Sequence, residues 1–353
     1  MIVGSLVFLS RTLRIERMIR AVTLFSGYDS QCLALRRLGI DFDLVAWCEI
    51  DDDARKAHDV LFPEYATRNI GDISKINWET FMDMRKGPAI DYFSKQYVMF
   101  ADEPTDTGEE KVDLLTYSSP CQDFSIAGLQ AGATEGSGTR SSLLWESERA
   151  IAALRPKYLL FENVGAVVSK KFKPLFDSWC KRLEGYGYTN YWKILNARHY
   201  GVPQNRIRLY MVSILGEHKP FKFPEPMPLT VKFTDILEKN VHERYYLSEA
   251  AIRSIFNTPE GTNFKPTING GEENYARALT CGDHSWRRTD NYIDLDGRLR
   301  RLTEREAFRL MDVDDPDIDK LIASGISKTQ LAKMAGNSIV VNVLYHIFKN
   351  LLL

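Results

Sequence analysis

Residues 114–128 read LLTYSSPCQDFSIAG. A short apolar run (Val112, Leu114, Leu115) gives way to small polar residues and then to Pro120-Cys121-Gln122. That order predicts a buried strand emptying into a loop with a cysteine at its mouth. In an open parallel sheet, ligands bind outside the carboxyl ends of the strands. A thiol held there is partly exposed, and nearby dipoles or cations can lower its pKa, as a nucleophile requires. Most free cysteines are instead small, buried and inert, so the surroundings of Cys121 must decide.

On both sides of this stretch, strand and helix patterns alternate. Apolar strands are predicted at 21–25, 44–48 (ending at Glu49), 112–116, 158–161, 193–196 and 208–215, with Asn69-Ile70-Gly71-Asp72 as a further strand end. Helices are predicted at 31–38, 51–61, 142–154 and 175–183, and the second opens with three acids, which suit the positive end of a helix dipole. This rhythm implies an α/β protein with a mostly parallel sheet and helices on both faces. Residues 84–111 break it with Pro88, Pro104, Gly108 and an acidic run, and are read as a surface insertion without an assigned role. From Gly216 four prolines (Pro220, Pro224, Pro226, Pro228) mark a domain boundary. The predicted division is a large domain of 18–215 with 328–353, and a smaller mixed domain of 216–327. A strongly apolar final helix at 340–352 is expected to fold back on the large domain.

At 353 residues the chain has room for both. Its net charge of −1 supplies no global basic field for nucleic acid, although a cleft can be locally positive on a neutral protein. Five cysteines without paired spacing point to a reducing compartment, with neither a disulfide framework nor a metal site. No apolar stretch approaches the roughly 20 residues of a membrane span. Residues 2–9 are apolar and precede Arg11, Arg14, Arg17 and Arg20, the reverse of a signal peptide. Met18 stands just before the first strand, so 1–17 is treated as an extension and the start stays open between Met1 and Met18.

Further short motifs occur in order along the chain: Thr23-Leu24-Phe25-Ser26-Gly27, Pro120-Cys121-Gln122, Glu162-Asn163-Val164, Gln204-Asn205-Arg206-Ile207-Arg208, Arg301-Leu302-Thr303 and Gly336-Asn337-Ser338. A lone Pro-Cys says little, but these blocks in this order closely resemble the cytosine-5 DNA methyltransferases, from Ala21 to the C-terminus. The resemblance implies a Rossmann-like methyltransferase sheet plus a smaller recognition domain, and S-adenosylmethionine as cofactor, released as S-adenosylhomocysteine. It implies methyl transfer to cytosine C5 in a specific sequence of double-stranded DNA. Closest in type is a stand-alone prokaryotic modification methyltransferase: a cytoplasmic monomer, with a separately encoded restriction endonuclease as the usual companion and no membrane partner. Two other readings stay open here, a transfer RNA cytosine-5 methyltransferase on the same fold and a catalytically silent cofactor-binding DNA-binding module.

The turn at Phe25-Ser26-Gly27 can hold the carboxylate end of a small ligand on backbone amides. Glu49, ending the next strand, is placed to accept from ribose hydroxyls, and Asp72 from the adenine amino group. By resemblance Phe25 and Ile50 sandwich the adenosine, while Gly27, Ser30, Ile73, Pro120, Leu143, Asn337, Ser338 and Ile339 line the remaining wall. Asp29 stands where the family usually has a second glycine, and is expected either to repel the methionine carboxylate or to bind its amino group. By the same resemblance Cys121 adds to C6 of an extruded cytosine, as action on a base inside a duplex demands. Glu162 contacts N3 and the exocyclic amino group, which requires a protonated carboxyl of raised pKa. Gln204, Arg206 and Arg208 alternate and so should share one face; Arg208 is placed on the base, Arg206 on backbone or loop, and both favour thiolate at Cys121. The loop 123–140, with Gly128, Gly132, Gly136 and Gly138, has the composition of a mobile lid. DNA contacts are expected from Gln122, Ser125, Gln204, His284, Arg287, Arg288, Arg301 and Thr303, where arginine can read guanine edges or merely hold phosphates.

Overall fold

A computed structural model describes residues 18–81, 89–90, 97–98, 111–119, 142–256, 267–269, 275–281, 291–294 and 297–353. The first part of the chain runs β1 (Ile19–Leu24), α1 (Ser30–Arg37), β2 (Phe42–Cys48), α2 (Asp52–Leu61), β3 (Leu114–Tyr117), α3 (Ser142–Leu154), β4 (Tyr158–Val164), α4 (Lys173–Gly185), β5 (Tyr188–Asn196) and β6 (Ile207–Leu215). These strands form one sheet in the order β2-β1-β3-β4-β6-β5. The pairs β1–β2, β1–β3 and β3–β4 are parallel, while β6 is antiparallel to both β4 and β5. The predicted α/β architecture is present.

Strands covered on both faces are continuously apolar, with alternate residues feeding opposite layers. Ala21, Leu114, Leu160, Tyr210 and Val212 enter one hydrophobic cluster, and Val22, Leu115, Phe161, Leu209 and Met211 the other. β4 runs three residues past its predicted end, so Glu162 sits within a strand. The expected strand end at 69–72 is absent. Asn69 makes a single bridge to Trp47, and Asp72 instead caps a short 3-10 turn, Ile73–Lys75, by accepting from the Ser74 amide at 3.0 Å. Of the 84–111 insertion, the described part is an antiparallel pairing of Ala89–Ile90 with Tyr97–Val98 and the lead-in to β3.

The remainder holds α5 (Glu249–Phe256), a small sheet of Thr267–Asn269, Asn291–Asp294 and Leu299–Arg301, and then α6 (Glu304–Arg309), α7 (Asp315–Ala323), α8 (Lys328–Asn337) and α9 (Val341–Leu352). The apolar helix α9 packs on α1. Arg36 and Arg37 of α1 pair with Asp317 and Asp312, and Lys333 of α8 reaches Asp51, the N-cap of α2, at 2.9 Å. One hydrophobic cluster therefore joins Tyr28, Leu33 and Phe62 to Phe233, Leu279, Ile293 and Phe308. Among the described residues no helix is long and apolar enough to cross a membrane, and no group of His, Cys, Asp or Glu is arranged to hold a metal ion.

Candidate active site

The backbone ladder between β3 and β4 ends at Tyr117 and Phe161, and side chains continue it for two more rungs. One step past the ladder the Ser118 hydroxyl donates to a Glu162 carboxyl oxygen at 3.3 Å. One step further Asn163 Nδ2 donates to the Ser119 carbonyl at 3.0 Å. Asn163 Oδ1 also accepts from the Val164 amide at 2.8 Å, which fixes the amide's orientation. The carbonyl two residues ahead of Cys121 is thus pinned to β4. Pro120, Cys121, Gln122, Ser125 and the loop 123–140 themselves lie outside the described residues.

Glu162 is only 8 % exposed. Burial raises its carboxyl above the usual carboxylate range, against the opposing pull of Arg208, Arg206 and the Ser118 hydroxyl. Arg208 Nε lies 3.2 Å from Oε1, so the two ionisable groups of this edge face one another. A buried carboxyl of raised pKa can act as a proton donor where an exposed one is already ionised.

The other two members of the alternating triplet do something different from what their spacing suggests. Gln204 is fully buried, with Nε2 donating to the Leu310 carbonyl at 2.6 Å and Oε1 accepting from the Leu279 amide at 2.9 Å. Both ends of its amide are committed inside the protein, which removes it as a DNA contact. Arg206 is 3 % exposed and donates to three carbonyls: Leu279 at 2.8 Å, Gly336 at 2.9 Å and Ser338 at 2.7 Å. Burial brings its pKa down to about 10, which still leaves it charged at neutral pH. Arg206 is a joint between the sheet, segment 275–281 and the end of α8, and not a residue reaching into solvent. The Gly336 end of this joint has no room for a side chain, since an added Cβ would overlap the Thr280 carbonyl. No pattern in the sequence marks this, because cations at alternate positions look the same on an exposed strand face and inside a joint.

Thr303 is likewise internal. Its hydroxyl donates to Glu238 at 2.6 Å and accepts from the Glu306 amide at 3.2 Å, a capping box that opens α6. That box also holds the buried Arg300–Glu306 ion pair at 2.8 Å, so Thr303 is a cap and not a DNA contact. Arg301 is half-buried, with its guanidinium 5.7 Å from the Tyr245 ring. His284, Arg287 and Arg288 lie outside the described residues.

At the ends of β1 and β2 the chain forms a second constellation. Phe25, Gly27 and Asp29 all take positive φ (55°, 57° and 66°), which is free for glycine and costly for the other two. Contacts from β1 and β2 hold this shape. The Gly27 amide donates to Glu49 Oε2 at 3.0 Å, the Ser26 amide to the Cys48 carbonyl at 3.1 Å, and Thr23 Oγ1 to Asp29 Oδ2 at 2.7 Å. Asp29 caps α1 through the Cys32 amide at 3.2 Å and lies 3.7 Å from the buried His58. It is fully buried, and burial raises its pKa. The expectation that Asp29 repels or binds a ligand's end is therefore corrected, because its carboxylate points into the protein.

Glu49 Oε1 accepts from the Ile50 and Asp51 amides, both at 2.8 Å, so backbone donors fill three of about four acceptor positions of the carboxylate. One remains for a ligand hydroxyl. Beside it the Ile50 side chain is 66 % exposed, an apolar surface ready for a flat ring, and the space a Cβ on Gly27 would occupy is empty. An acceptor, an apolar platform and an open turn at the carboxyl ends of two parallel strands suit a nucleoside. Phe25, Asp72 and Leu143 are half-buried around this edge, and Asn337 is exposed. The Ser30 and Ser338 hydroxyls lie 2.5 Å apart and bond to each other. Ile73 and Ile339 face the core, at 2 % and 6 % exposed, so only their backbone is available to line a pocket.

A family model described as C-5 cytosine-specific DNA methylase matches residues 19–352. The chain is 35 % identical over 370 residues to the type II methyltransferase M2.ScrFI of Lactococcus lactis subsp. cremoris, covering 95 % of this chain and 99 % of that protein. It is 30 % identical over 337 residues to the type II methyltransferase M.NgoBI of Neisseria gonorrhoeae, covering 93 % and 91 % respectively. The solved structure of S. pombe Dnmt2 methyltransferase superposes with a TM-score of 0.69 at 18 % identity, over 96 % of this chain and 100 % of that one. Entamoeba histolytica EhMeth superposes at 0.72 and 16 % identity, over 95 % and 99 %. At such identities the two structures speak to the fold alone.

Proposed function

Because the chain belongs to the C-5 cytosine-specific DNA methylase family, we propose a division of labour among its own residues for methylating cytosine in double-stranded DNA. Cytosine C5 is a weak nucleophile. The Cys121 thiolate adds to C6 and pushes electron density towards N3 and O2 of the ring. Glu162 donates its proton to N3 and accepts from the exocyclic amino group, and Arg208 neutralises charge at O2. Bound S-adenosylmethionine supplies the electrophilic methyl group that C5 takes up. A base then removes the C5 proton and Cys121 departs. The observation that carries this reading is the buried Glu162 paired with the half-buried Arg208, held next to a Ser119 carbonyl that Asn163 pins just ahead of Cys121.

The nucleoside half of the cofactor belongs at the second constellation, with Glu49 on the ribose, Ile50 and Phe25 on the adenine faces, and Asp72 on its amino group. The aspartate must share itself, since one oxygen already accepts from Ser74 and the other lies 3.5 Å from Lys75. Sequence recognition is assigned to 216–327, with His284, Arg287, Arg288 and Arg301 as the contact set. A monomer working in the cytoplasm, beside a separately encoded endonuclease, completes the proposal. Glu49→Ala is expected to weaken S-adenosylmethionine binding by at least about tenfold, since it removes both the ribose acceptor and the tie to Gly27. Calorimetry checks this, and unchanged affinity would contradict the placement.

The reaction itself is tested by incubating purified protein with methyl-labelled S-adenosylmethionine and either duplex DNA or transfer RNA. Label in DNA at cytosine C5 is the expected result. Label confined to transfer RNA would overturn the substrate, and cofactor binding without turnover on either would leave a silent binding module.

A further inference from the structure

We propose that Ser118 is a positioning residue for Glu162, holding its carboxyl aimed at the substrate. The proposal rests on the reading of Glu162 as proton donor. Ser118 and Glu162 are neighbours by construction, because the parallel register that pairs Leu114 with Tyr158 and Tyr117 with Phe161 places Ser118 beside Glu162 at the next step. The serine hydroxyl meets Oε2 at 3.3 Å while Arg208 Nε faces Oε1 at 3.2 Å, so each carboxyl oxygen has its own partner. The last torsion of a glutamate side chain is soft and roughly two-fold. With Ser118 gone, nothing fixes that torsion, and the carboxyl loses its aim at the base.

A hydroxyl is suited to this position because it both donates and accepts. It donates to the carboxylate and can turn to accept from the protonated acid, so it follows Glu162 through a proton transfer, whereas Arg208 can only donate. Among the described residues, the charged and titratable groups facing Glu162 are Arg206, just before β6, and Arg208 and Tyr210 within it, and Ser118 is the partner just past β3. Donation from Ser118 favours the ionised form, so its removal raises the Glu162 pKa further. Activity that needs protonated Glu162 is lost as pH rises through that pKa, so the alkaline limb of the rate profile moves to higher pH in Ser118→Ala.

The test compares Ser118→Ala and Ser118→Thr with the unsubstituted enzyme on duplex DNA. For alanine the expected result is a kcat about tenfold lower at the profile's plateau, the scale of one hydrogen bond to a charged group. KM for DNA and the affinity for S-adenosylmethionine stay unchanged, and the alkaline limb shifts upward. Threonine, which keeps the hydroxyl, restores both kcat and the limb. An unshifted limb in Ser118→Ala, or a loss of kcat that threonine does not rescue, overturns the proposal. Glu162→Gln measured alongside separates two failures. If it keeps full kcat and the same limb, Glu162 is not the donor and both ideas fall. If it loses the limb while Ser118→Ala leaves it in place, only the positioning role falls.

Discussion

Arg206→Ala is expected to lower the thermal midpoint by about 10 °C. The substitution strands the carbonyls of Leu279, Gly336 and Ser338 in a site that is closed to water in the folded protein. An unsatisfied buried polar group costs about 1–3 kcal/mol, so three of them cost at least ~3 kcal/mol, and about 2–4 °C per kcal/mol is usual for chains of intermediate length. Arg206→Lys retains a charge but loses the planar fork that reaches carbonyls on two separate segments, so it recovers only part of the loss. Scanning calorimetry decides the matter. A normal midpoint with a collapsed kcat would show that Arg206 works on the substrate, as its spacing from Arg208 first suggests.

Glu162→Gln is expected to reduce kcat by about 10²–10⁴-fold while leaving DNA and cofactor binding near normal, the range lost with a general acid. The amide has nearly the carboxyl's shape and can still offer a hydrogen bond to N3. It cannot release a proton as charge builds there, so the defect falls on kcat and not on KM. The alkaline limb due to Glu162 should also vanish, since an amide does not titrate. Burial is the first cause of the raised pKa, and the nearby Arg208 is its main opponent. Glu162→Ala would add a second fault by leaving Arg208 without its carboxylate. Steady-state kinetics across pH with the glutamine variant therefore isolates proton donation.

Much of the sheet was legible in the residues because buried parallel strands are continuous apolar runs bounded by turns. The helix at 142–154 and the strand at 208–215 came out within a residue of their observed ends. The 69–72 segment was misread because a capped 3-10 turn and a strand end share the same short polar signature, and only the tertiary bridge to Trp47 tells them apart. Asp29 was misjudged for a related reason. Sequence position put an acid in a glycine's place, but the left-handed backbone turns that side chain inward onto Thr23 and the Cys32 amide of α1. Gln204, Arg206 and Thr303 illustrate the broader limit. Their polar character reads as surface, and only long-range partners such as Leu279, Gly336 and Glu238 reveal that they are internal fasteners. For Glu162 the pattern predicts a carboxyl at the end of the run 158–161, whereas the strand continues to Val164 and Arg208 arrives from the neighbouring strand.

Bisulfite sequencing of DNA from cells expressing this chain, beside cells expressing Cys121→Ala, reads the reaction and the role of Cys121 together. The predicted result is protected cytosines confined to one short sequence motif with the unsubstituted chain, and none with the alanine variant. Methylation that persists in Cys121→Ala, or DNA left unmodified by both proteins, would contradict it.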